Sequence, residues 1–133
     1  MDKDDTDTEI GLRELRKRGY ERIVLAGGGG GRLDHLLAIR ALFERPDGPD
    51  EWLTASERVL RLAAATTFST HPGAMVSVFP LGGGASDMSS EGLEWPLSGL
   101  VWNAGQFGVS NRAPSGRFSI DPGQNPILVI LRS

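Results

Sequence analysis

The stretch that most constrains this chain is Ile23-Val24-Leu25-Ala26, followed by five glycines (Gly27 to Gly31) and then by Arg32-Leu33-Asp34-His35. An apolar, β-branched burst in front of glycines reads as a buried strand, and the apolar run behind them reads as a helix. Five consecutive glycines give a core nothing to pack and lose much conformational entropy on ordering. Such a run is tolerated where the backbone has to come close to something. At a strand-to-helix turn the usual partner is a phosphate, because N–H groups at the helix start point at the anion and the helix dipole favours its charge.

The familiar glycine motifs do not fit. A G-x-G-x-x-G begun at Gly27 or Gly28 needs glycine at position 32 or 33, where Arg32 and Leu33 stand, and the Lys-Ser or Lys-Thr of a P-loop is missing. Arg32 can fork onto phosphate oxygens. Asp34 can accept hydrogen bonds from amides or a ligand, or approach a metal. The structural alternative is a flexible glycine loop with Asp34 as a simple helix N-cap, and on pattern alone the two readings stand level.

Around this turn the chain divides in two. Thr6-x-x-Glu9 forms a capping box, so a helix is expected from Asp7, with Ile10, Leu12 and Leu15 as a modest apolar stripe and Gly19 as its stop. The helix expected from Arg32 to about Glu44 is apolar around most of its circumference, as for a helix covered on more than one side. Pro46-Asp47-Gly48-Pro49-Asp50 then begins a linker. Beyond it the pattern changes to short β segments: Trp52–Ala55 and Val59–Ala63, which could form a hairpin, then Thr66–Ser69, Met75–Phe79, Leu100–Trp102, Arg117–Ile120 and Ile127–Leu131. Turn signals separate most of them, which predicts an antiparallel sandwich. We therefore divide the chain into residues 1–48, an incomplete α/β (Rossmann-like) segment, and 49–133, a β-sandwich. No parallel partner for the central strand is evident in the first segment, so either another chain completes that sheet or an N-terminal portion is missing.

Composition excludes several function classes. A net charge of −3 argues against a nucleic-acid surface. With no cysteine there is neither a disulfide nor a thiolate metal site. No apolar run approaches membrane-spanning length and the acidic start is unlike a signal peptide, so a cytoplasmic protein without membrane contact is the expectation.

Three ordered blocks resemble the thiamine pyrophosphokinases. Gly30 to His35 (Gly-Gly-Arg-Leu-Asp-His) is similar to that family's G-G-R-x-D-H, and Asp2-Lys3-Asp4-Asp5-Thr6-Asp7 resembles its D-K-D-x-T-D. The C-terminal half carries Val76-Ser77-Val78-Phe79-Pro80-Leu81, Glu91-Gly92-Leu93-Glu94-Trp95-Pro96-Leu97 and Val109-Ser110-Asn111 in the family's order. Members begin with a further α/β segment bearing a D-x-D-S-type acidic motif, which is not in this sequence.

The resemblance implies transfer of a pyrophosphoryl group from ATP to the hydroxyethyl group of thiamine, with Mg²⁺, in a homodimer whose sites form between subunits. Such chemistry is mostly positioning and charge neutralisation. By resemblance, Asp2, Asp4 and Asp5 hold the metal, while Asp5, Asp7, Arg32 and Asp34 serve catalysis. Gly30, Gly31, His35, Trp95, Ser110 and Asn111 bind substrate. An indole stacks well on a flat cationic heterocycle, which suits Trp95. Each position also has a structural alternative: a solvated acidic tail, a hydrogen-bonding histidine, a sandwich-core tryptophan, a plain turn at Ser110-Asn111. With one acidic motif absent, incomplete metal coordination and low turnover are expected. The readings that remain beside it are a non-catalytic thiamine- or small-ligand-binding β-sandwich dimer, and an assembly protein whose glycine loop is only a turn.

Overall fold

The structure is a computed structural model that describes residues 7–27, 30 and 32–132, with Asp7 described by its backbone alone. The chain divides into two compact units, Met1–Ala55 and Ser56–Ser133. Among the described residues, no helix is long and apolar enough to cross a membrane.

Unit 1 holds helix α1 (Asp7–Lys17), strand β1 (Val24–Ala26), helix α2 (Leu33–Leu42) and strand β2 (Glu51–Leu53). Helix α1 starts at the predicted residue and ends as the sequence dictates. Gly19 takes φ +88° and its N–H reaches the Arg16 carbonyl at 3.0 Å, a left-handed termination that glycine permits without strain. Of its apolar stripe only Leu12 is buried, in a small cluster with Ile23 and Leu42. Arg16 ties the unit together. Its guanidinium donates to the carbonyls of Tyr20, Glu21 and Gly48 and to Asp50 Oδ2, which also takes the Ile23 N–H at 2.8 Å.

Strand β2 corrects one expectation. It pairs parallel with β1, Leu25 opposite Trp52, so the central strand does have a parallel partner and Trp52 belongs to it. A parallel pair needs a crossover long enough to return the chain to the same end, and α2 with the Pro46–Asp50 segment supplies one. The described part of unit 1 is thus one β-α-β unit. Nor is β1 buried on both faces: Val24 is 42% exposed. Helix α2 buries Leu42, while Leu33 and Leu37 stand in the open. Two three-residue strands and two helices have too little surface to cover each other's second faces.

Unit 2 is all β. Its strands are β3 (Glu57–Leu62), β4 (Thr66–Ser69), β5 (Ala74–Pro80), β6 (Gly84–Ala85), β7 (Ser89–Glu91), β8 (Trp102–Asn103), β9 (Gly108–Ala113), β10 (Arg117–Asp121) and β11 (Ile127–Arg132). The larger sheet runs β3-β11-β5-β9 and is antiparallel throughout. A second antiparallel sheet runs β4-β10-β7, and β6 pairs with β8. Period-2 alternation decides which side chains face inward. On β5 it buries Ala74, Val76, Val78 and Pro80, and on β10 Phe118 and Ile120. These meet Ile127 and Val129 of β11 in one core shared by both sheets, where Phe68 and Phe118 stack at 4.9 Å. The expected sandwich is present. Its turns are glycine-dependent where backbones touch: Gly116 has φ +83°, and a Cβ there would collide with the Thr70 carbonyl oxygen.

Candidate functional site

The glycine turn begins as a continuation of the parallel pair. Gly27 donates to the Leu53 carbonyl at 2.8 Å, and its own carbonyl accepts the Trp52 indole N–H at 2.6 Å. Gly31 lies outside the described residues; Gly30 is described, and its carbonyl accepts the Arg32 N–H at 2.9 Å. Arg32 holds the N-cap position of α2 without a side-chain cap, so Asp34 is not the cap. It is the second helical residue, and its carboxylate works sideways. Arg32 donates to it from Nε at 3.1 Å and from Nη2 at 2.6 Å, and the His35 N–H adds a bond at 2.9 Å. The guanidinium beside it holds the Asp34 carboxyl below its ordinary value, with the His35 amide assisting. Both partners are exposed. The arrangement is an oriented cation at a helix start, two of whose N–H groups are already given to Asp34.

Asp2, Asp4 and Asp5 lie outside the described residues, and Asp7 contributes only the first backbone position of α1. Among the described residues no group of three or more His, Cys, Asp or Glu is placed to hold a metal. The described donor set therefore does not fit a magnesium site.

In unit 2 the structure brings Trp95 and Asn111 together. Trp95 sits between β7 and β8 with its side chain toward solvent, 56% exposed, so it is not a sandwich-core tryptophan. Asn111 accepts the Trp95 N–H at 3.0 Å and donates to the Trp95 carbonyl at 2.7 Å. Ser110, next to it, has φ +62°, uncommon for a side-chain-bearing residue, and its N–H donates to Ser77 Oγ at 3.1 Å. Ser110 and Asn111 are therefore strand residues of β9, not a plain turn. Exposed apolar side chains are concentrated in the same part of the chain: Leu100, Val101, Phe107 and Val109, with Phe107 stacked on Phe79 at 5.2 Å. Phe107 carries no signal in the sequence, and Ser77 and Val109 stand there only within the family-like blocks, without a role. Alternation with Asn111 and Ala113 would have put Val109 inside, and only a backbone irregularity brings it out. Two polar grooves of about 430 and 330 Å³ lie on the small sheet, lined by Thr67, Glu91 and Ser119 among others. Trp95, Ser110 and Asn111 line neither.

Residues 66–123, the heart of unit 2, match the family described as "Thiamin pyrophosphokinase, vitamin B1 binding domain". Within unit 2, residues 66–123 are thus similar to a thiamin pyrophosphokinase vitamin B1 binding domain. No curated protein sequence matches the chain. Among solved structures it is similar to a thiamine pyrophosphokinase from Bacillus subtilis, at 20% identity and a TM-score of 0.79, over 99% of this chain and 64% of that one. A thiamin pyrophosphokinase family protein from Enterococcus faecalis gives 19% identity and a TM-score of 0.80, over 99% and 65%. The thiamin pyrophosphokinase from Candida albicans gives 18% and 0.67, over 97% and 52%. The chain thus spans under two thirds of the length of these structures. At such identities the likeness is one of fold, and the vitamin B1 binding domain is where sequence and fold agree.

Proposed function

We propose that unit 2 binds thiamine at Trp95 and that the chain serves pyrophosphoryl transfer from ATP to thiamine. The observation that carries the reading is the exposed Trp95 indole, held by Asn111 inside the segment that matches a vitamin B1 binding domain. An exposed indole on a rigid backbone is a stacking platform, and the aromatic rings of thiamine include a cationic one. Stacking of this kind contributes about 1 kcal/mol, more where water is excluded. Ser110, on the same strand, is the polar neighbour we assign to the ligand.

In unit 1 we assign Arg32 to phosphate. Its guanidinium offers a planar fork, and the positive end of α2 adds to it. Asp34 orients that fork while unliganded, and accepts a polar group of the substrate when the fork turns to phosphate. His35 is assigned to substrate through its place beside them. Mg²⁺, ATP as donor, the homodimer and a cytoplasmic location enter by family likeness.

The test is a titration of thiamine against intrinsic tryptophan fluorescence, with Trp95→Leu as control and Trp52 and Trp102 as background. Saturable quenching is expected in the wild type and is expected to be absent in Trp95→Leu. A flat fluorescence and calorimetric signal at millimolar thiamine, on folded protein, removes the assignment.

A further inference from the structure

Trp95 is not held by packing alone. The Asn111 side chain, on a residue 7% exposed, bonds both backbone groups of Trp95, and the same Oδ1 also takes the Arg112 N–H at 2.8 Å. Both lone pairs of that oxygen and one of the two amide protons are thereby used inside the protein. The neighbouring Glu94 N–H adds a bond to the Arg112 carbonyl at 2.8 Å. Glu94 and Trp95 are thus laid along β9 much as a strand would be, with Asn111 replacing the missing ladder partner.

The placement of Asn111 depends on a β-bulge. Val76 pairs with Asn111, but Val78 pairs with Gly108, so two steps along β5 face three along β9. The extra residue is absorbed where Ser110 adopts φ +62°, and Ser77 Oγ pins it there. Alternation inward over Ala113 and Asn111 stops at that point, and Val109 turns to solvent. Asn111 is consequently the last inward-facing residue of β9 before the exposed apolar segment.

We infer that Asn111 is the positioning residue of Trp95, set in place by the Ser77-pinned bulge, and that it acts on a bound flat cation only through the indole. This rests on the reading of Trp95 as the stacking platform. It replaces direct ligand contact as the role of Asn111, because its hydrogen-bonding capacity is mostly spent and its surface is covered. Ser77, whose Oγ accepts the Ser110 N–H, becomes part of the same device.

The experiment has an arm without ligand and an arm with it. Emission of Trp95 is isolated by subtracting the Trp95→Leu signal, and its anisotropy and acrylamide quenching are read in the wild type, Asn111→Ala and Ser77→Ala. Asn111→Ala is expected to lower the anisotropy, raise the quenching constant and weaken thiamine binding about tenfold, the equivalent of one to two lost hydrogen bonds. Ser77→Ala is expected to move the same readouts in the same direction by about threefold or less. Unchanged anisotropy and affinity in folded Asn111→Ala overturn the inference.

Should that variant not fold, Asn111→Asp replaces it. The introduced carboxylate accepts both N–H groups but faces the Trp95 carbonyl, whereas its protonated form donates to it. Affinity relative to wild type is then expected to recover as pH falls. The comparison is made where circular dichroism shows the variant folded at every pH, and a flat ratio there overturns the inference. If the wild type itself fails to bind thiamine, the proposed function falls, and the ligand-free arm still decides for or against the positioning role.

Discussion

The two units solve the problem of holding a fold in opposite ways. Unit 2 does it with apolar interdigitation: Val76, Val78, Val129 and Ile127 are each at most 1% exposed and stand between two sheets. Unit 1 does it with cations on carboxylates and carbonyls. Arg16 bonds Asp50 and three carbonyls, Arg45 reaches Glu9 at 2.6 Å, and Arg22 reaches Glu51 at 2.6 Å, beside a cluster of only a few apolar residues. Exposed apolar residues are distributed to match. In unit 1 they are scattered over both helices and both strands: Ile10, Val24, Leu37 and Leu53. In unit 2 they fall within Trp95–Val109. An element that exposes apolar surface everywhere lacks cover. Exposure gathered in one segment is the pattern of an interaction surface, which is the role proposed above for this one.

The sharpest break of this comparison is a large-to-small change in the sandwich. Ile127→Ala, at 0% exposure, is expected to cost about 3–4 kcal/mol and to lower the main thermal transition seen by circular dichroism. Leu42→Ala in unit 1 should cost less, because its sparse surroundings can relax; an equal loss would show that the two cores are equally tight. Next in size comes Arg16→Ala, expected to cost about 2–3 kcal/mol through the hydrogen bonds it removes. Hydrogen exchange should locate that loss in α1 and β2 and leave β11 protected. Uniform loss across both units would mean that they unfold as one.

Smaller effects sharpen the functional side. If the proposed function holds, Arg32→Ala and Asp34→Asn each lower pyrophosphoryl transfer, while melting temperature stays within about 2 °C of wild type, as for exposed residues. If both variants melt far lower and keep their specific activity, the pair is structural. The smallest effect is a titration. Asp34 is held below its ordinary value of 3.8, chiefly by Arg32, so its contribution is present above that value and is lost as pH falls through the lowered one. Carbon-detected NMR should find the midpoint below 3.8 in the wild type and closer to it in Arg32→Ala.

The sandwich was legible because its signals are local. Short apolar runs at Met75–Phe79 and Ile127–Leu131, and glycine turns at Gly73, Gly116 and Gly123, each report on neighbours within a few residues. The helix starts near Asp7 and Arg32 were legible for the same reason. The parallel partner of β1 was not, because its evidence lies across a crossover from Ala26 to Glu51 and periodicity carries no memory over that distance. Burial of β1 and α2 was overestimated because apolar content records what a segment can bury, not whether its cover exists. In the candidate site, residue types pointed to Arg32, Asp34 and Trp95, but their relations did not follow from types. That Asp34 turns sideways onto Arg32, or that Asn111 serves the backbone of Trp95, depends on a helix offset in one case and on a positive φ at Ser110 in the other.

The bulge on β9 also limits how this sequence can drift. Between Gly108 and Asn111 the strand carries one residue more than its partner, and that surplus decides which side chains meet water. Deleting Val109 would restore a regular ladder and reverse the facing of everything before it. Phe107 and its stack on Phe79 would lose their place. Adding a residue there would have a comparable effect. Side chains in this stretch can be exchanged one for another, but its length is fixed, so insertions and deletions in relatives that keep the same open face should fall on either side of these four residues and not within them.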